Sequence, residues 1–346
     1  MALATPAGTP SASPPPASPS TSRLPVLFLP TRIHPVARAL AAESFDVIDH
    51  DSLRARTWTE EADAVVVRTS GVSADEVSRA PKLRIIARNG VGTETVPLEK
   101  CKERGIVVTN QPGCNAKAVA EQALVLAIAV ARRTVEFDRR MRRGERLPSI
   151  DWLAGTLEGK TVGVVGMGDI AHAFAKKMVG AFDATVLVYS PTSSPAKWTT
   201  CDASGHTPIS HRRVSSLDEL LAQADVVSLH CPLNEQTRGM MGRQQFLRMK
   251  QSGILINTGR GGLVDEDALT DALESGEIYG AGLDVLAHEP ATRERYARLF
   301  ACENVVVSPH AGAGTHEVQI DTCVVAVETC ASYLRGEGLG KSTRVV

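Results

Sequence analysis

Residues 159–177, GKTVGVVGMGDIAHAFAKK, constrain this chain more than any other stretch. A short apolar strand runs into two closely spaced glycines, Gly166 and Gly168, and then into a helix. The tight turn leaves the first backbone N–H groups of that helix pointing at whatever sits beside them, and a pyrophosphate suits such a position. Ala171 stands where a third glycine is usual, and the next strand closes on Ser190 rather than on an acidic residue. The pattern indicates a dinucleotide and says nothing of the reaction.

At 346 residues the chain exceeds one hydrophobic core, so two domains are expected. A formal net charge of -1 offers no electrostatic footprint for nucleic acid or an anionic membrane. No apolar run approaches the roughly 20 residues that span a bilayer. The seven cysteines include no close CxxC pair, which fits a reducing compartment and argues against a disulfide framework or a zinc cluster; no metal is expected. A soluble, cytoplasmic protein follows. Residues 1–22 are almost entirely Ala, Ser, Thr and Pro and read as a disordered tail; the first arginine, Arg23, comes too late for a good organelle-targeting segment.

From Leu24 onward short apolar runs alternate with amphipathic ones. Strands are expected at PVLFLP (from Pro25), ADAVVVRTS (Ala62), LRIIARNG (Leu83) and GIVVTNQPG (Gly105), with a helix at VARALAAESF (Val36). Val- and Ile-rich strands separated by helices imply a parallel sheet covered on both faces. AVAEQALVLAIAVARRTVEF, from Ala118, reads as one long helix, apolar enough to be buried at an interdomain seam or a subunit interface. The basic run RRMRRGER that follows, Arg139 to Arg146, reads as a solvated helix end, with a phosphate contact as the rival. Beyond the glycine turn, strands are expected at ATVLVYSP (Ala184), ADVVSLHCP (Ala224), GILINTGRG (Gly253), GAGLDVL (Gly280) and NVVVSPH (Asn304), and a last long helix starts near Glu317. Repeated βα units of this kind form a doubly wound sheet, whose ligands gather at the carboxyl ends of the strands. The expected division is a substrate lobe at 23–122, a Rossmann-type lobe at 123–311, and a C-terminal segment at 312–346 that returns to the substrate lobe.

Three polar residues fall at such strand ends: Arg260 after NTG, Glu289 after LDVLAH, and His310 after VVVSP. A guanidinium presents paired donors to a carboxylate, and imidazole is the side chain best suited to moving a proton near neutral pH. A buried carboxylate beside His310 would fix its tautomer and raise its pKa. Next to a dinucleotide turn, the set describes reduction of an α-keto acid.

With these residues in view the chain resembles the D-isomer-specific 2-hydroxyacid dehydrogenases, specifically their phosphoglycerate-dehydrogenase-like branch. The resemblance is carried by GVVGMGDIA (Gly163), VVSLHCPLNEQTRGMM (Val226), LINTGRGGLVDEDAL (Leu255), AGLDVLAHEP (Ala281) and VVVSPHAGAGT (Val305), with VVVRTSGVS (Val65), ARNGVGTETV (Ala87) and TNQPGCNAKAVAE (Thr109) in the first lobe. It implies an α/β protein of two lobes, one Rossmann-type and one flavodoxin-like, that interconverts a D-2-hydroxy acid and a 2-oxo acid by hydride transfer with NAD or NADP. It implies that Arg260 binds the substrate carboxylate and carbonyl, that His310 is the acid in reduction, and that Glu289 is its partner. Backbone around Ser70, Gly71, Gly90 and Val91 would hold the carboxylate. The cofactor would meet Gly166, Met167, Gly168, Asp169, Ile170, Ser190, His230, Pro232, Thr237, Thr258, Asp284, His310 and Gly312, with Asp284 at the nicotinamide amide. A homodimer and a small 2-oxo or 2-hydroxy acid are the implied partners.

Two sites depart from that pattern. Ser190 replaces the aspartate that accepts from the adenosine ribose, which opens the site to NADP, although the family's habit leans the choice to NAD. Glu94-Thr95 replaces Asp-Asn in a first-lobe turn. The chain ends at Val346, and no substantial regulatory domain is expected. The rivals are a non-catalytic NAD(H)-binding corepressor and a methyltransferase using its glycine turn for S-adenosylmethionine; the first leaves the Arg260, Glu289 and His310 set without work, the second leaves its placement unexplained.

Overall fold

The computed structural model describes residues 23–148, 150–202 and 205–346, so the expected tail at 1–22 lies outside the described residues. Among the described residues there are thirteen strands: β1 Val26–Leu29, β2 Asp46–Asp49, β3 Ala64–Val67, β4 Ile85–Arg88, β5 Val107–Asn110, β6 Thr161–Val165, β7 Thr185–Tyr189, β8 Arg212–Arg213, β9 Val226–Leu229, β10 Ile254–Asn257, β11 Gly280–Leu283, β12 Val305–Val307 and β13 Thr343–Arg344. They form two sheets. The first runs β13-β5-β4-β3-β1-β2 and the second β12-β11-β10-β9-β6-β7-β8. Every pairing is parallel except that of β13 with β5. The first is therefore the flavodoxin-like order with an added antiparallel edge, and the second is the Rossmann order with one further strand. Expected strands occupy the interior of both sheets and the β12 edge of the second; the three missed ones, β2, β8 and β13, are the other edge strands.

The apolar character of the interior strands follows from burial on both faces: β3 and β9 are buried at every position. The principal helices are α1 Pro35–Ser44, α2 Ala116–Ala131, α3 Thr134–Arg142, α4 Asp169–Phe182, α5 Glu266–Ser275 and α6 His316–Arg335. Leu126, Ala127 and Val130 of α2 join Phe174 and Met178 of α4 in the core beneath the second sheet. Cys323, Ala326, Val327 and Cys330 of α6 instead pack with Leu27, Val66 and Ile85, so the last helix returns to the first sheet. No described helix is long and apolar enough to cross a membrane.

The stretch expected as one long helix is two. α2 stops at Ala131, Arg133 takes a left-handed conformation (φ 52°), and α3 starts at Thr134. Neither glycine nor proline marks the break; an ion network holds it. The carboxylate of Glu136, 5% exposed, receives both Arg133 and Arg140, while the Arg133 guanidinium lies over the rings of Phe137 and Trp152. Much of the basic run after it is paired within the chain: Arg142 with Asp138, and Arg143 with Glu145 and Glu303.

Candidate active site

The glycine turn is built as its sequence requires. Gly166 has φ +105°, and a Cβ there would stand 2.5 Å from the carbonyl oxygen of His230. Gly168 caps α4 without a side-chain hydrogen bond, and its Cα faces open space. Met167 is buried below the turn, and Ala171 is fully buried among the residues that seat α4 on the sheet, which accounts for a methyl in place of the third glycine. The carboxylate of Asp169 is drawn aside by the Nε2 of His206, whose Nδ1 engages Asp202.

Around the turn the carboxyl ends of the neighbouring strands bring together the residues expected to meet a cofactor. Ser190 follows β7, His230 and Pro232 follow β9, Thr258 follows β10, and Asp284 follows β11. Two buried polar atoms here lack a partner, the Thr258 hydroxyl and the Nδ1 of His230. Burial holds the pKa of His230 down to about 3, so its ring is neutral. A helix N-terminus with no side-chain cap, a turn too tight for a Cβ and orphaned buried polar atoms fit a dinucleotide along this crevice. The Thr237 hydroxyl, by contrast, donates to the carbonyl of Pro232, closing its own turn.

Arg260 opens a short 3-10 turn, Gly261–Leu263, just past β10. Asn257 pins it: its side-chain nitrogen donates to the Arg260 carbonyl and its oxygen accepts from Gly259. Gly261 permits this approach, since a Cβ would come within 2.0 Å of the Leu286 carbonyl carbon. The guanidinium donates to Glu94 of the first lobe at 3.1 Å. Opposing influences act on Glu94: burial raises its pKa, while its own N–H and Arg260 lower it further, leaving it below the ordinary value.

His310 is anchored more firmly. Its φ is +54°, a strained region for a non-glycine residue, and its N–H donates to the carbonyl of Asp284 at 2.7 Å. The buried Asp284 carboxylate accepts from the Ser308 hydroxyl (2.7 Å) and from the N–H groups of Ala311 and Gly312 (both 2.8 Å). Ser308 in turn receives Gln122 of α2. Asp284 is thus the organiser of the histidine loop, a use its position in GLDV does not reveal. The Nδ1 of His310 lies 2.8 Å from Glu289 Oε2, and Glu289 Oε1 accepts from the N–H of Leu286. The pair is half-exposed rather than buried. Hydrogen bonding at Nδ1 nevertheless leaves Nε2 as the free nitrogen. Glu266 and Tyr296, which sequence reasoning missed, fix the loop bearing Glu289: Glu266 accepts from the N–H of Ala287 and from the Tyr296 hydroxyl, which itself accepts from the N–H of His288. A cavity of about 500 Å³ opens beside the pair, and Arg139 of the basic run lines it with Phe300 and Val307.

On the first lobe, Gly71 packs against Thr95, and the N–H of Val72 donates to the Thr95 carbonyl, joining the two expected substrate loops. Gly90 has φ +116°, and the Val91 carbonyl accepts from Asn110. Arg88 underlies them, donating to the carbonyls of Gly92 and Asn89, and burial lowers its pKa.

A dinucleotide cradle at the carboxyl ends of one sheet, with a guanidinium and a histidine–carboxylate pair beside it, defines an NAD(P)-dependent oxidoreductase of small 2-oxo or 2-hydroxy acids. Residues 124–312 match the model of the D-isomer specific 2-hydroxyacid dehydrogenase, NAD binding domain, and the chain belongs to that family. It is 39% identical over 284 residues to the glyoxylate reductase of Thermococcus litoralis, covering 80% of this chain and 82% of that one. It is 37% identical over 321 residues to the D-3-phosphoglycerate dehydrogenase of Mycobacterium tuberculosis, covering 91% of this chain but 58% of that longer one. The crystal structure of the TT0316 protein from Thermus thermophilus superposes with a TM-score of 0.82 at 34% identity, covering 93% of this chain and all of that one.

Proposed function

We propose that the protein works chiefly as a reductase of small 2-oxo acids. The observation that carries this is the 2.8 Å contact of Glu289 with His310 Nδ1, which leaves Nε2 free at the crevice where Arg260 also ends. A substrate carboxylate would settle on Arg260 and on backbone near Ser70, Gly71, Gly90 and Val91, exchanging the Glu94 contact for its own. The reduced nicotinamide, when bound, supplies the hydride to the carbonyl carbon. Negative charge then grows on the carbonyl oxygen, where Arg260 stabilises it and His310 donates a proton from Nε2. Glu289 keeps the ring oriented, with Nε2 left for the substrate. The cofactor would lie along Gly166, Met167, Gly168, Asp169 and Ile170, reach Ser190 at its adenosine end, and present its nicotinamide near Thr258, Asp284 and Gly312. Relatives named for glyoxylate reduction support a substrate with a small side chain.

In this reading residues 23–122 and 312–346 form the substrate lobe and 123–311 the cofactor lobe, closing on each other in the cytoplasm. A homodimer is supported by apolar side chains left exposed along α2, α3 and the segment after them: Val125, Met141, Ile150 and Leu153. The test is a panel of 2-oxo acids, glyoxylate, hydroxypyruvate and pyruvate among them, followed through loss of reduced-nicotinamide absorbance. Turnover of at least one small 2-oxo acid is expected; no oxidation of either cofactor across the panel would refute the assignment.

A further inference from the structure

We infer that the adenosine end of the crevice is a 2′-phosphate subsite, so that the preferred cofactor is NADPH, recognised by Arg213. The inference rests on the dinucleotide reading of the glycine turn and runs against the family's lean to NAD. In the Rossmann order, the carboxyl end of the strand after the glycine helix receives the adenosine ribose, and an acidic residue there accepts from its 2′-hydroxyl. β7 is that strand, and the residue beyond it is Ser190, 8% exposed, its hydroxyl 2.7 Å from that of Ser193. No carboxylate is offered at this position to the ribose, and none to repel a phosphate.

A cation arrives from the next strand. β8 pairs with β7 so that Arg213 lies beside Val188, at the same carboxyl edge. Its guanidinium reaches over the end of β7 and donates to the carbonyls of Ser190 (2.7 Å), Ser193 (3.0 Å) and Ser194 (2.7 Å). All three are neutral acceptors, and among the described residues no carboxylate pairs with Arg213, so its charge is oriented without being neutralised, whereas its neighbour Arg212 is paired with Glu219. Three of the five N–H donors of a guanidinium are used in these contacts, and the others remain for a ligand. A half-buried cation held by carbonyls, with two serine hydroxyls beside it, has the chemistry of a phosphomonoester site. The signal was hard to read in the sequence because Arg213 comes 23 residues after Ser190, from an edge strand of two residues.

The rival role for Arg213 is to pin the 190–194 loop. Titrating the full chain with NADPH and NADH by calorimetry, and with 2′,5′-ADP against 5′-AMP, separates the two. NADPH is expected to bind about tenfold or more tightly than NADH, as a charge-assisted contact implies, with 2′,5′-ADP likewise ahead of 5′-AMP. Arg213→Leu should reduce the NADPH:NADH affinity ratio about tenfold, and Ser190→Asp, which restores the carboxylate, should invert it. Equal binding of both cofactors by the unaltered chain, or Arg213→Leu weakening both alike while Ser190→Asp leaves the ratio unchanged, would overturn the subsite. Binding of neither cofactor would overturn the dinucleotide reading itself.

Discussion

The loop that carries His310 and the loops that face it from the first lobe are built on opposite principles. Around His310 the backbone is held in a strained conformation by a buried carboxylate that takes three protein donors, backed by Ser308 and Gln122. Across the crevice, Ser70 and Val91 are exposed, and their loops are joined chiefly through main-chain contacts at Thr95 and the reach of Arg88 beneath. Strain persists only where the surroundings over-determine it, so the first loop keeps His310, the proposed proton donor, in one place. The second set can change shape with the side chain it must accept, as loops on a rigid scaffold commonly do. In the proposed reading, chemistry and selectivity thereby fall to different lobes, with Arg260 and Glu94 touching across the gap.

Substitutions on the two sides should differ in kind. Arg260→Leu removes the charge proposed to hold the carboxylate and the developing oxyanion, and kcat/KM should fall about 10²- to 10³-fold, read by steady-state kinetics. Asp284→Ala strands the Ala311 and Gly312 N–H groups and should cost about 1–3 kcal/mol of stability; a lower Tm together with a lower kcat is expected, and a normal kcat would mean that the histidine loop does not depend on this carboxylate. The neutral His230, whose Nδ1 is buried, gives an acid limit. Its pKa is about 3 when folded against an ordinary 6.5, so between those values the unfolded chain takes up a proton that the folded chain does not. This contribution is complete above pH 6.5 and is lost as the pH falls toward 3, at no more than about 1.4 kcal/mol per pH unit. His230→Phe should therefore show a flatter fall of Tm with acid than the unaltered chain.

The smallest effect belongs to the flexible side. Glu94 is exposed and Arg260 half-exposed, so their contact contributes little. Glu94→Gln should free Arg260 and lower KM for a 2-oxo acid by up to about fivefold. A rise in KM would show instead that Glu94 helps to hold the substrate.

The stiff side was also the more legible one. Interior strands and the edge strand β12 announce themselves through unbroken Val and Ile runs, and the residues after β7, β10 and β12, Ser190, Arg260 and His310, can be placed at one end of the sheet by topology alone. The edge strand β2, DVID, alternates polar and apolar residues too briefly to stand out. The break at Arg133 depends on Glu136 meeting two arginines, which no local propensity encodes. The same holds for Glu94 on Arg260, 166 residues apart, and for the way Asp284 is used. Long-range polar contacts set these features, and sequence periodicity carries no trace of them.

The most direct measurement is single-turnover reduction of a small 2-oxo acid by His310→Ala, beside a separate titration of cofactor affinity. A fall in the reduction rate of about 10²- to 10⁴-fold with cofactor binding nearly unchanged is expected of a lost proton donor. A variant that binds cofactor normally and reduces the acid at the unaltered rate would contradict the assignment of proton transfer to His310.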